Sequence, residues 1–143
     1  MSSSSYKRIV AIDYGTKRIG VAKSDPLCMF AQPVGTFDEE GLFKVLDAIL
    51  REDGIKLFIV GYPLSDSGET NRMTGVIDRF VVELRERFPA IPVETVDEHR
   101  SSKDARRILV DSGQSRKQRS VKGGRVDTAA ACVILQGYLD ASR

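Results

Sequence analysis

The chain has 143 residues, with 22 Lys and Arg against 20 Asp and Glu, for a formal net charge of +2. Its 41% hydrophobic and 29% charged residues fit an ordinary globular domain, long enough to bury about two-thirds of its unfolded surface. No apolar run approaches the ~20 residues of a membrane span, and so small a net charge does not by itself argue for a polyanionic partner.

Met1 to Ser5 is polar, of low complexity and without a hydrophobic signal core. Cys28 and Cys132 lie far apart and share no metal-ligand spacing. Together these features predict a cytoplasmic protein forming one domain over residues 1–143, with both cysteines acting as small hydrophobes.

The first predicted strand is Lys7–Asp13. Its run Ile9-Val10-Ala11-Ile12 is unbroken and apolar, the pattern of a strand buried on both faces at the centre of a sheet. Asp13 ends it, at the rim where open α/β sheets bind ligands. A tight turn at Gly15-Thr16 leads to a second strand, Arg18–Ser24, predicting an antiparallel hairpin. Gln32–Phe37 reads as a third, edge strand, with Pro33 near its start where a missing donor is tolerated. Asp38 offers an N-cap, and Glu39 and Glu40 suit a first turn. Leu42, Phe43, Val45, Leu46, Ile49 and Leu50 supply the apolar stripe of that helix, and Gly54 its stop.

Lys56–Gly61 is a short apolar strand expected to run parallel to the first, followed by a polar, turn-rich loop from Tyr62 to Glu69. A helix from Asn71 to Phe88 is marked by Met73, Ile77, Phe80, Leu84 and Phe88 at steps of three and four. Ile91–Val96 gives a fifth strand, ending in Asp97-Glu98-His99-Arg100. Ser101 caps a further helix that Gly113 ends. Gly123-Gly124 leads into a last helix, Val126 to Asp140, apolar around most of its circumference and so expected to be buried. Three antiparallel strands followed by alternating helix and strand predict an α/β fold, a mixed five-stranded sheet with helices on both faces.

Three acidic positions fall at element ends that this topology could bring together: Asp13, Asp97-Glu98 and Asp127. Clustered carboxylates repel unless a cation holds them, and hard oxygen ligands suit Mg²⁺ or Mn²⁺. Two such ions ~4 Å apart stabilise both the attacking and the leaving oxygen in phosphodiester hydrolysis. Lys17 and Arg18 lie beside Asp13, and an acid-free run carries Arg116, Lys117, Arg119, Lys122 and Arg125, which would supply charge for a polyanion. Plainer roles fit the same residues. Asp13 can bond turn amides, Asp127 can cap its helix, Asp97-Glu98 can be solvated, His99 suits an ordinary surface position, and the basic run suits a solvated loop.

The stretch Asp13-Tyr14-Gly15-Thr16-Lys17-Arg18-Ile19-Gly20-Val21-Ala22-Lys23-Ser24-Asp25 resembles the first signature of the YqgF-type proteins. These are bacterial Holliday-junction-resolvase-like nucleases, also described as pre-16S rRNA nucleases. The likeness continues in Val60-Gly61-Tyr62-Pro63-Leu64 with Gly68, in Asp97-Glu98 with Ser101-Ser102 and Ala105, and in Asp127-Thr128-Ala129-Ala130-Ala131. It closes on Ile134-Leu135-Gln136 with Tyr138-Leu139, so it covers nearly the whole chain in order. The resemblance implies a ribonuclease H-like fold and an acidic, metal-binding set of Asp13, Glu98 and Asp127, with Asp97 an alternate to Glu98. Two features depart from the pattern. The usual Asp-Glu-Arg-Leu-Thr-Thr appears as Asp97-Glu98-His99-Arg100-Ser101-Ser102, and Gly61-Tyr62-Pro63 stands where related resolvases place an acid at the fourth strand's end.

The expected function is therefore a metal-dependent endonuclease of structured RNA, in 5′-end maturation of small-subunit ribosomal RNA, with branched DNA the other substrate and either a monomer or a homodimer acting. A non-catalytic RNA-binding, ribosome-associated factor is the competing class. A nucleotide phosphotransferase is a third, because Asp-x-Gly-Thr after a strand also resembles the phosphate-binding hairpin of the actin and sugar-kinase folds. Those proteins need a second comparable domain to enclose the nucleotide.

Overall fold

The computed structural model describes residues 6–15, 17–62, 72–97 and 123–141. Its strands are β1 (Arg8–Tyr14), β2 (Ile19–Ser24), β3 (Ala31–Phe37), β4 (Ile55–Tyr62) and β5 (Val93–Asp97). They form one sheet in the order β3-β2-β1-β4-β5. The β1–β2 and β2–β3 pairs are antiparallel, whereas β4 runs parallel to both β1 and β5. The described helices are α1 (Glu39–Glu52), α2 (Arg72–Arg87) and α3 (Gly123–Ala141). The mixed sheet is the one the sequence predicts, with small shifts at element ends. The helix expected between Ser101 and Gly113 lies outside the described residues.

The apolar run of β1 is buried on both faces, with Val10, Ala11 and Ile12 fully inaccessible. Alternation along the strand sends its side chains into two separate cores. Val10 and Ile12 join Leu42, Phe43 and Leu46 of α1 and Ile77, Phe80 and Leu84 of α2. Ile9 and Ala11 join Ala22, Leu57 and Ile59 of the sheet and Ala131, Ile134, Leu135 and Leu139 of α3. Helices therefore cover both faces, and each buried Leu or Ile stabilises this arrangement by about 1.5–3 kcal/mol.

Local signals set the element ends. The Asp38 carboxylate caps α1 by accepting from the Gly41 amide at 2.7 Å, and Gly54, at φ +80°, turns the chain out of that helix into β4. β3 lies at the sheet edge as expected, and its Pro33 pairs with Ala22 beside a register shift.

α3 departs from expectation in two ways. It begins at Gly123 instead of Val126, taking in the two glycines that precede the apolar run. Its burial is one-sided: Ala130, Ala131, Ile134, Leu135 and Leu139 are buried, while Gly137 and Asp140 are exposed. A helix lying on a sheet can press only one stripe against it.

Candidate functional site

β1, β4 and β5 run parallel, so their carboxyl ends share one rim of the sheet. β1 and β4 pair Ile12 with Val60, which sets Asp13 and Gly61 at the same level one step further on. Gly61 pairs in turn with Val96, and Tyr62 with Asp97. Asp13 is only 8% exposed. It has the parity of Ile9 and Ala11, which belong to the α3 face of the sheet. A carboxylate that deep must be compensated by donors or a cation to remain ionised.

One side chain fixes α3 against the lower end of the sheet. Gln136 Oε1 accepts from the Ala31 amide at 2.9 Å, and its Nε2 donates to the Met29 carbonyl at 3.0 Å. Ala31 pairs with Ser24, whose hydroxyl accepts from the Ile9 amide at 2.9 Å, so Gln136 sits at the level where β1 begins. From Ile9 to Asp13 the strand rises ~13 Å. From Gln136 back to Asp127 the helix rises ~14 Å. The two rises match, so a helix running antiparallel to β1 would bring its early turns to the level of Asp13.

The predicted site residues fall as follows. Asp127 lies in the second turn of α3. Arg125 lies in the first turn. Lys17 and Arg18 are exposed in the β1–β2 turn, at the Asp13 rim, and the Arg18 carbonyl closes that turn by accepting from the Gly15 amide at 3.1 Å. Asp97 is the last residue of β5, two strands from β1 and so ~10 Å away across the sheet. Glu98, Arg116, Lys117, Arg119 and Lys122 lie outside the described residues, as does His99. Among the described residues no group of three or more His, Cys, Asp or Glu could hold a metal ion. The donor chemistry still fits a hard divalent cation, because the buried contributor at this rim is a carboxylate.

Other residues of the signature serve the fold. Asp25 lies at the opposite end of the sheet, where its carboxylate accepts from the Met29 and Phe30 amides, each at 2.7 Å, and organises the β2–β3 turn. Those bonds, with Phe30 foremost, hold its carboxyl below the ordinary value. Cys28 and Cys132 are both half-buried, and burial pushes the Cys132 thiol up to about 11, so it is an inert packing group.

Two contacts at the rim were not anticipated. The Tyr14 hydroxyl donates to Glu39 Oε2 at 3.2 Å, and the Tyr62 hydroxyl donates to the Asp78 carboxylate at 3.1 and 3.3 Å. Each partner lies on a helix that the sequence predicts. Strand parity would have found the right face, but not the partner.

The RuvX family, described as "Holliday junction resolvase", matches residues 7–141. A Chlorobaculum tepidum protein is 69% identical over 140 residues, covering 98% of each chain. A Chlorobium chlorochromatii protein is 61% identical over 135 residues, covering 94% of this chain and 96% of its own. Both carry the name "Putative pre-16S rRNA nuclease". Among solved structures, the yeast mitochondrial Holliday junction resolvase Ydc2 aligns with a TM-score of 0.51 over 94% of this chain and 78% of its own. At 9% identity that likeness speaks for the fold alone.

Proposed function

The chain belongs to the RuvX family of Holliday junction resolvases, and from that premise we propose that it is a divalent-metal-dependent endonuclease that trims the 5′ end of pre-16S ribosomal RNA. The observation that carries the reading is the buried carboxylate of Asp13, set at the carboxyl rim of the sheet. The names of the close relatives supply the substrate class.

Asp13, Glu98 and Asp127 are the proposed ligands of Mg²⁺ or Mn²⁺. Asp97, the last residue of β5, is the alternate to Glu98. When bound, the metal activates water and neutralises charge on the phosphate oxygens. The protein's own contribution is positional and electrostatic. Asp13 offers a carboxylate already withdrawn from bulk water, so little solvent has to be reorganised when a phosphate arrives. Lys17 and Arg18 stand exposed at the same rim and draw the backbone in. Arg116, Lys117, Arg119, Lys122 and Arg125 are proposed as further phosphate contacts on their charge alone.

Asp13→Asn and Asp127→Asn should each lower cleavage of a 5′-extended 16S precursor by about 10²-fold or more, the scale of losing several kcal/mol of charge stabilisation. Circular dichroism and RNA affinity should stay near wild type. Undiminished cleavage in both variants overturns the reading. Preferential cutting of a four-way DNA junction moves the substrate to branched DNA, and equal RNA binding in EDTA without any cleavage identifies a binding factor.

A further inference from the structure

Asp13 and Tyr14 are neighbours on β1, and their side chains serve opposite faces of the sheet. Tyr14 has the parity of Val10 and Ile12 and packs against the core beneath α1 and α2. Its ring centroid lies 4.6 Å from that of Phe80 on α2. Its hydroxyl donates to Glu39, the first residue of α1. A tyrosine hydroxyl is protonated at neutral pH, so Tyr14 is the donor of that bond.

The neighbouring strand repeats the device. Tyr62 is the last residue of β4 and packs against the same core, and its hydroxyl donates to Asp78 of α2. The two strand ends that flank Gly61 and Asp13 are thus each tied, on the side away from Asp13, to an acid of a different helix. Both bonds lie at exposed positions, where one hydrogen bond adds only about 0.5–1.5 kcal/mol to stability. Fixing the strand exit is a separate effect, because β1 leaves the sheet immediately after Tyr14.

We propose that Tyr14 is a positioning residue for Asp13: its hydroxyl, bonded to Glu39, fixes the end of β1 so that the Asp13 carboxylate meets its cation and the scissile phosphate in one orientation. Tyr62, through Asp78, holds the adjacent strand end in the same way. This rests on the reading of Asp13 as a metal ligand.

Tyr14→Phe keeps the ring against Phe80 and removes only the hydroxyl. Its kcat should fall about tenfold or more with KM for RNA unchanged. Mn²⁺ affinity of the substrate-free protein, read by calorimetry, should weaken by a similar factor. Glu39→Gln keeps an acceptor oxygen and should stay within about threefold of wild type on both measures, while Glu39→Ala should match Tyr14→Phe. The double variant Tyr14→Phe/Glu39→Ala should be no worse than either single change, since both act through one contact. Wild-type kcat and Mn²⁺ affinity in Tyr14→Phe, alongside an inactive Asp13→Asn, overturn the positioning role alone. An Asp13→Asn protein that cuts like wild type overturns both this and the site itself.

Discussion

Glu39 and Glu83 bring carboxylates from α1 and α2 together, and the contact with Glu39 holds the Glu83 carboxyl above its ordinary value of 4.5. Burial adds to that rise, whereas Arg87, whose Nε lies 3.9 Å from Glu83, works against it. Arg87 is also held over the Phe43 ring at 4.1 Å, so its charge is shared. A raised carboxyl pKa in the fold means that the protonated form stabilises the protein below about 4.5, and that this contribution is lost as pH rises through the raised value. Glu83→Gln should therefore raise Tm at pH 7.5 by more than it does at pH 4, as read by thermal melts at both. An equal offset at the two pH values contradicts the pairing. At this scale the sequence exposes Asp13 clearly, because a four-residue apolar run ends on it. It hides the partner of Tyr14, because Glu39 lies 25 residues on and meets it only once α1 has packed.

Elements were legible wherever a cap or a period marks them. Asp38 and Gly54 bracket α1, and Ile77, Phe80 and Leu84 mark the buried face of α2. The start of α3 was not legible, since Gly123-Gly124 carries no apolar period. Its one-sided burial was also hidden, since alanine and glycine on the outer face look as apolar as those on the inner one. Two helical glycines now make a direct test. A Cβ built on Gly75 of α2 or Gly137 of α3 meets nothing within 4 Å. Gly75→Ala and Gly137→Ala should each stabilise by about 0.5–1 kcal/mol, seen as a higher urea midpoint with an unchanged slope. Gly54→Ala should do the reverse, because φ is +80° and the new Cβ would lie 2.9 Å from Lys7 Cγ.

Across the whole molecule, topology was legible because the run of strands precedes the alternation of helix and strand, and because β1 is apolar on both faces. One sheet serves two cores, so damage on either face should be felt as a single event. Leu84→Ala beneath α2 and Leu135→Ala beneath α3 remove fully buried side chains from opposite sides. Each should cost about 2–5 kcal/mol, and together they should be nearly additive. Fluorescence and circular dichroism should report one shared transition in urea for each variant. Two separated transitions would mean that the faces unfold independently.

The matched rise of β1 and α3 also bears on when the protein becomes active. All five strands precede α3 in the chain, so a growing polypeptide displays the Asp13 rim before it has made the helix that carries Asp127. The Gln136 clamp, which sets that helix along the sheet, is made later still. If Asp13 and Asp127 act together as proposed, an enzyme assembled in this order would be silent while it is threaded through a ribosome, whose RNA is chemically the material it is proposed to cut. On that reading it would become competent only after its last helix has docked.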